Sequence, residues 1–292
     1  MTPKEIKKIL LAKPRGFCFG VEKALEIVNN ALSKYKQQIY VFNEIVHNKT
    51  IVNDLKNKGV IFTQDPREVK EGSVLIFSAH GVSPKIREYF QGKNVAILDA
   101  TCPLVAQVHK KAIRYAKEGF HIIYIGHKNH EEAQGVIGEV PNNISVVEIL
   151  SDIKNIQASQ NKYIVLTQTT LNVFEIENIF QKIKEAIPHV VFPDKKDLCQ
   201  ATTARQQAVK ALAKKCDTFL ILGSQNSSNS RRLKEVAKAA GPKAYLIDSF
   251  KDINSAWLKN TKVLGISSGA SAPEYLVEET ISCLINNYSF EL

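Results

Sequence analysis

Long apolar runs are missing from these 292 residues. None approaches the roughly 18 that a membrane helix needs, and the stretch Met1 to Leu11 is charged before it is apolar, without a cleavage-like site. A membrane or secreted protein is therefore not expected, and a cytoplasmic one is. Cysteine is scarce as well. The five cysteines, Cys18, Cys102, Cys199, Cys216 and Cys283, are odd in number and far apart, unlike the dense, even sets of disulfide scaffolds. They read as thiols or metal ligands. The 10 prolines and 14 glycines are scattered rather than clustered, which with 44% hydrophobic and 23% charged residues describes an ordinary globular chain. Acid is in deficit: 29 Asp and Glu against 39 Lys and Arg leave a formal charge of +10. The basic residues, Lys110-Lys111, Lys195-Lys196 and Lys214-Lys215 among them, are spread over helical segments without the interleaved aromatics of a nucleic-acid motif. Solvated helix faces, or docking of an acidic protein partner, account for the charge better than nucleic acid.

What the chain does contain is repetition. Short apolar runs end again and again in a polar turn that opens an amphipathic segment, the pattern of parallel βαβ units. Nine can be counted. In the first third they are Ile9 to Leu11, Ile39 to Phe42 and Val74 to Phe77; in the second, Val95 to Leu98, Ile122 to Ile125 and Ile164 to Leu166; in the last, Val190 to Phe192, Phe219 to Leu222 and Val263 to Ile266. In each third one of the three turns carries a cysteine and two are polar, which reads as an internal repeat. The expectation is an α/β protein of three similar domains, 1–100, 101–195 and 196–292, each with a parallel sheet. Since ligands gather beyond the carboxyl ends of parallel strands, three such domains with strand ends inward would surround one central cavity in pseudo-threefold fashion.

Cys18, Cys102 and Cys199 fall where helices are expected to start. A helix N-terminus presents unpaired N–H groups and partial positive charge, which stabilise a thiolate. Cys216, in Ala211 to Leu220 between a helix and a strand, and Cys283, in the amphipathic stretch Pro273 to Ile285, are expected to be buried structural thiols. Core packing also competes for the first three, since no C-x-x-C spacing marks them as ligands. Three thiolates and a water would suit tetrahedral zinc, and three thiolates would equally suit a cubane iron-sulfur cluster with one iron open to substrate. A zinc hydrolase acting on a phosphate ester and an iron-sensing nucleic-acid binder therefore stand beside a reductive enzyme.

The turns carry the remaining polarity. His47, His80 and His130 occupy matching turns, and the later turns supply Thr169, Thr170, Ser227, Ser228, Asn229 and Ser271. These hydroxyls and amides can donate to phosphate oxygens near helix N-termini, forming an anion cradle without lysine. Helix capping is the competing role for each of them singly. Glu132 is the clearest carboxylate among the turns, suited to protonating a departing hydroxyl, with first-turn helix stabilisation as its alternative. Its neighbour Glu131 is expected at the surface.

Eight ordered motifs give the chain a family resemblance: Pro14-Arg15-Gly16-Phe17-Cys18, Val46-His47-Asn48, Ser78-Ala79-His80-Gly81-Val82, Asp99-Ala100-Thr101-Cys102-Pro103, Thr167-Gln168-Thr169-Thr170-Leu171, Ala201-Thr202-Thr203 with Arg205-Gln206, Asn226-Ser227-Ser228-Asn229-Ser230, and Ser268-Gly269-Ala270-Ser271-Ala272-Pro273. Over nearly its whole length it resembles the 4-hydroxy-3-methylbut-2-enyl diphosphate reductases, the LytB family of the non-mevalonate isoprenoid pathway. The resemblance implies three α/β domains around one [4Fe-4S] cluster held by Cys18, Cys102 and Cys199, its fourth iron open to substrate. It implies an allylic diphosphate substrate contacted by His47, His80, His130, Thr170, Ser227, Ser228, Asn229 and Ser271. Proton delivery falls to Glu132, aided by Thr169 and His130, and electrons to a ferredoxin or flavodoxin; a monomer or weak dimer is expected. Two positions depart from the family: Glu131 stands where proline is usual and Gln200 where tyrosine is often found. If both carboxylates face the pocket, Glu131 is expected to alter the pKa of Glu132.

Overall fold

A computed structural model describes residues 7–156, 162–193 and 197–292. Lys195-Lys196, the expected boundary at 195/196 and the first residues of the charged opening stretch lie outside the described residues. In chain order the elements begin β1 (Lys7–Leu11), α1 (Phe19–Lys34), β2 (Ile39–Phe42), α2 (Lys49–Asn57), β3 (Ile61–Thr63), β4 (Val74–Phe77) and α3 (Pro84–Phe90). They continue β5 (Ala96–Asp99), α4 (Pro103–Lys117), β6 (His121–Ile125), α5 (Glu131–Glu139), β7 (Ile144–Val147), β8 (Tyr163–Thr167) and α6 (Ile176–Ala186). The last are α7 (Gln200–Ala213), β9 (Thr218–Leu222), α8 (Ser228–Ala239), β10 (Lys243–Ile247), α9 (Ser255–Leu258), β11 (Val263–Ser268), α10 (Glu274–Tyr288) and β12 (Phe290–Glu291). Among the described residues no helix is long and apolar enough to cross a membrane.

The strands form three parallel sheets, and the chain divides into two compact units. The first unit comprises the described parts of Met1–Cys18, His47–Ile51 and Gln200–Leu292. Its sheet has the order β10-β9-β11-β1-β12. β9 reads Thr-Phe-Leu-Ile-Leu and is buried throughout, as a central parallel strand covered on both faces must be. Alternation sends Leu220 and Leu222 to a core shared with Leu276, Val277, Ile281 and Leu284 of α10, while Phe219 and Ile221 meet Val209 of α7 and Leu233 and Val236 of α8. β1 pairs with β11 and β12, in register from Lys8 with Val263 to Leu11 with Ile266. The strand that precedes Cys18 thus lies in the sheet of the last third rather than with β2 to β5.

The second unit, Phe19–Val46 with the described part of Val52–Cys199, holds two sheets, β3-β2-β4-β5 and β7-β6-β8. In the smaller sheet Ile122, Tyr124, Ile164 and Leu166 face α4 and α5, and Ile123, Ile125, Tyr163 and Val165 face α6. A buried polar contact ties α4 to α5. The Nδ1 of His109 and an oxygen of Glu139 are 2.8 Å apart, and Arg87 of α3 donates to the same oxygen at 3.3 Å. A Cβ on Gly135 would come within 2.8 Å of the His109 ring, so glycine is what lets the helices close on it.

Eight of the nine expected strands are present. Val190 to Phe192 is the exception, making a single bridge from Val191 to Ile164; Val190 and Phe192 pack against the core beside α6 while Val191 is 43% exposed. β3, β7, β10 and β12 were not foreseen. Each is an edge strand, and their burial is patchy, which weakens the apolar run that marks central strands.

Candidate active site

The first unit gathers loops at the carboxyl ends of β1, β9 and β11. Cys18 directly precedes α1, and its N–H donates to the carbonyl of Ala270 at 3.1 Å in the turn after β11. The loop before it is held from two sides: the Gly16 N–H donates to Ser268 Oγ at 2.8 Å, and buried Arg205 of α7 donates to the Gly16 carbonyl at 2.7 Å. Arg15 closes a salt bridge of 2.6 Å with Glu274 at the start of α10. The hydroxyl of Ser271 donates to the His47 carbonyl at 2.9 Å. Ser227 is the N-cap of α8, its Oγ accepting from the N–H of Ser230 at 3.3 Å. Ser227, Ser228 and Asn229 are all buried. Both polar atoms of the Asn229 side chain lack a protein partner, which a buried amide does not tolerate unless a ligand or water satisfies it.

In the second unit the first turn of α5 is the hub. His130 is its N-cap, with Nδ1 accepting from the Glu132 N–H at 3.2 Å. Glu132 is 1% exposed. Its two oxygens accept from the Thr169 N–H at 2.8 Å and the Thr169 hydroxyl at 3.0 Å, and the carbonyl of Thr169 accepts from the Cys199 N–H at 3.0 Å. One residue therefore joins the carboxyl group to a candidate thiol. Burial pushes the Glu132 carboxyl up to about 7, the hydrogen bonds from Thr169 oppose that rise, and the charge of Asp197 adds to it. Glu131 is not among these causes and is not at the surface: its side chain is 19% exposed and lies 2.8 Å from His80 Nδ1. Helix geometry sends consecutive side chains about 100° apart, so Glu131 meets the turn after β4 while Glu132 meets the turn after β8. The rings of His80 and His130 stand edge to face at 5.7 Å. Thr170 is half-buried and accepts from the Gln168 side chain at 3.1 Å.

Cys102 is the N-cap of α4, with Pro103 at the first helical position, and its N–H donates to the Ala79 carbonyl beside His80 at 2.9 Å. Cys199 immediately precedes α7. Cys18, Cys102 and Cys199 are half-buried and in no disulfide, each at a helix start, so the donor chemistry suits a thiolate-ligated metal group. Cys216 and Cys283 are half-buried rather than buried. The Cys216 thiol donates to the Leu212 carbonyl within a helical turn, and burial, with the Asp217 charge, pushes it up to about 11. The first turn of α1 adds a constraint that the sequence reading missed, since a Cβ on Gly20 would lie 2.6 Å from Cys102 Sγ. Alanine normally favours a helix by about 1 kcal/mol over glycine. Here Gly20→Ala is expected to reverse that sign, lowering the melting temperature and the iron bound per chain, measured by thermal denaturation and metal analysis of purified protein.

Arg205 and Ser268 were legible only as motif members, and their hold on the Gly16 loop emerges from the packing. His109 is the buried partner of Glu139.

The LytB protein family model matches residues 9–285. The chain is 47% identical over 281 residues to a 4-hydroxy-3-methylbut-2-enyl diphosphate reductase of Wolbachia pipientis subsp. Culex pipiens, covering 95% of this chain and 91% of that protein. It is 46% identical to the protein of that name in Nocardia farcinica, covering 95% and 83%. Among solved structures, the E-1-hydroxy-2-methyl-but-2-enyl-4-diphosphate reductase of Plasmodium falciparum superposes with a TM-score of 0.94 at 38% identity, covering 97% of this chain and 90% of that one. A second structure, of the (E)-4-hydroxy-3-methyl-but-2-enyl diphosphate reductase described as the terminal enzyme of the non-mevalonate pathway, gives 0.68 at 33% identity, covering 96% and 100%.

Proposed function

The chain belongs to the LytB family, and from that premise we propose that it converts (E)-4-hydroxy-3-methylbut-2-enyl diphosphate to isopentenyl and dimethylallyl diphosphates. It is an oxidoreductase, and the reaction balances as substrate plus two electrons and two protons giving product and water. The observation that carries the reading is the link from Glu132 through Thr169 to Cys199, which ties a protonatable group to a metal-binding thiol.

In this reading Cys18, Cys102 and Cys199 hold one [4Fe-4S] cluster, and the chain forms three α/β domains, 1–100, 101–195 and 196–292, with β1 exchanged into the sheet of the last. When bound, the cluster supplies the electrons one at a time. Glu132, its carboxyl pushed up to about 7 by burial, still carries a proton in part of the molecules at neutral pH and delivers it to the departing hydroxyl. Thr169 orients that carboxyl through two hydrogen bonds, and His130 caps the helix that carries it. His47, His80, His130, Thr170, Ser227, Ser228, Asn229 and Ser271 bind the diphosphate. The turn hydroxyls and amides spread its charge over many donors, and burial excludes water that would compete for them. The electrons come from an acidic carrier such as ferredoxin or flavodoxin, drawn by the +10 charge. The enzyme works in the cytoplasm as a monomer or weak dimer.

Asn229 provides a test that separates binding from folding. Leucine fills a similar volume and removes both unpartnered buried polar atoms. Asn229→Leu is therefore expected to raise the melting temperature while weakening diphosphate binding at least tenfold, the scale of one lost hydrogen bond to a charged group. Calorimetric titration with inorganic diphosphate and a thermal melt check both halves; unchanged affinity would remove Asn229 from the site. Turnover of the hydroxylated diphosphate by reduced protein tests the activity itself.

A further inference from the structure

We propose that Glu131 is a positioning residue for His80, a role that rests on the assignment of His80 to the diphosphate. The two side chains are 16% and 19% exposed and meet at 2.8 Å through His80 Nδ1. A carboxylate accepts only, so His80 presents Nδ1–H to Glu131, and that bond fixes both the rotation of the ring and the direction of its Nε2 edge. The arrangement matches the carboxylate behind a metal-ligating histidine, where the outer group sets the tautomer and the ring orientation of the inner one. Here the inner group's partner is an anion, so Nε2 carries a hydrogen too and donates to it, and what Glu131 sets is the orientation of the ring.

The backbone gives the contact its rigidity. Glu131 opens α5, whose cap is His130, and Glu132 beside it is locked to Thr169. The Glu131 main chain is therefore held at a fixed place between the turn after β4 and the turn after β8. A negative side chain at a first helical position is also favoured by the helix dipole, so the carboxylate costs α5 nothing. His80 follows Ala79, whose carbonyl accepts from Cys102, so its backbone is anchored on the other side. What the backbone leaves undetermined is the ring, and Glu131 determines it.

The division of labour predicts a division of kinetic effects. Glu131 acts on substrate binding through His80, and Glu132 acts on the chemical step. Glu131→Ala is expected to raise KM for the substrate, and Kd for inorganic diphosphate, about tenfold, the low end of what losing a carboxylate behind a histidine ligand costs, with kcat unchanged. Glu131→Gln keeps an acceptor for Nδ1–H and is expected to recover most of that loss. In a His80→Ala background the Glu131→Ala substitution is expected to add nothing, because the two side chains act as one unit.

The experiment is titration of anaerobically purified holoenzyme with inorganic diphosphate across this double-mutant cycle, with steady-state kinetics on the same samples. Non-additive losses confined to Kd and KM support the proposal. Wild-type affinity in Glu131→Ala, a fall confined to kcat, or full additivity with His80→Ala overturns it while leaving the reductase reading intact. A wild-type protein that turns over substrate but whose His80→Ala variant binds diphosphate normally removes His80 from the site and the proposal with it.

Discussion

Glu132→Gln is expected to lower kcat by about a thousandfold, the middle of the range for loss of a positioned general acid, in a protein that remains folded. The side chain is buried and both its oxygens are already engaged by Thr169, so glutamine keeps the shape and most of the hydrogen bonding and removes only the transferable proton. The pH dependence gives the same residue a second signature. Burial raises the carboxyl from 4.5 to about 7, so the protonated acid is present below about 7 and lost above it. The wild-type kcat/KM falls as pH rises through that value, and the variant's residual rate lacks that limb.

Stability moves in the same direction with pH. Below pH 4.5 the group is protonated in both folded and unfolded chains and contributes no difference. Between 4.5 and 7 the unfolded chain releases the proton that the folded one retains, so stability falls with rising pH. Above 7 the cost is constant, at about 3 kcal/mol by the linkage relation as an upper bound. Glu132→Gln removes that cost and is expected to be more stable than the wild type at pH 8 and no more stable at pH 4. Denaturant titrations at the two pH values decide it; a variant less stable at both would mean that the carboxylate is held by favourable contacts rather than strained by burial.

Serine at position 18, 102 or 199 is expected to empty the metal site. Wild-type protein purified without oxygen should carry about four irons and matching sulfide per chain, as a cubane requires. Cys18→Ser, Cys102→Ser and Cys199→Ser should each lose most of the iron, the brown absorption and the turnover. Cys216→Ser and Cys283→Ser should keep all three. The contrast has a local cause for Cys216, whose thiol is pushed up to about 11 and donates to a carbonyl of its own helical turn, so that it offers no thiolate at neutral pH. Cys283 instead accepts from Asn287 one turn along α10. A colourless wild-type protein with zinc bound at these three thiols would sink the reductase reading and restore the hydrolase.

The short apolar runs determined the central strands, because a strand covered on both faces must be apolar along its whole length whatever it packs against. The same local logic placed Cys18, Cys102 and Cys199 at helix starts, since the break from apolar run to polar turn is written in adjacent residues. Eight ordered motifs marked the family. Pairing was another matter. β1 could have joined β2 or β11 with equal hydrophobic satisfaction, and only the assembled sheet places Lys8 opposite Val263. Four of the edge strands, β3, β7, β10 and β12, were hidden because a half-covered strand tolerates polar residues. Most of all, the direction of a charged side chain is decided by what lies across from it. Glu131 and Glu132 are adjacent, acidic and at the same helix start, and nothing in their local sequence says that one reaches His80 and the other Thr169. That assignment comes from turns distant in the chain, brought to opposite sides of one helix by the packing of two sheets.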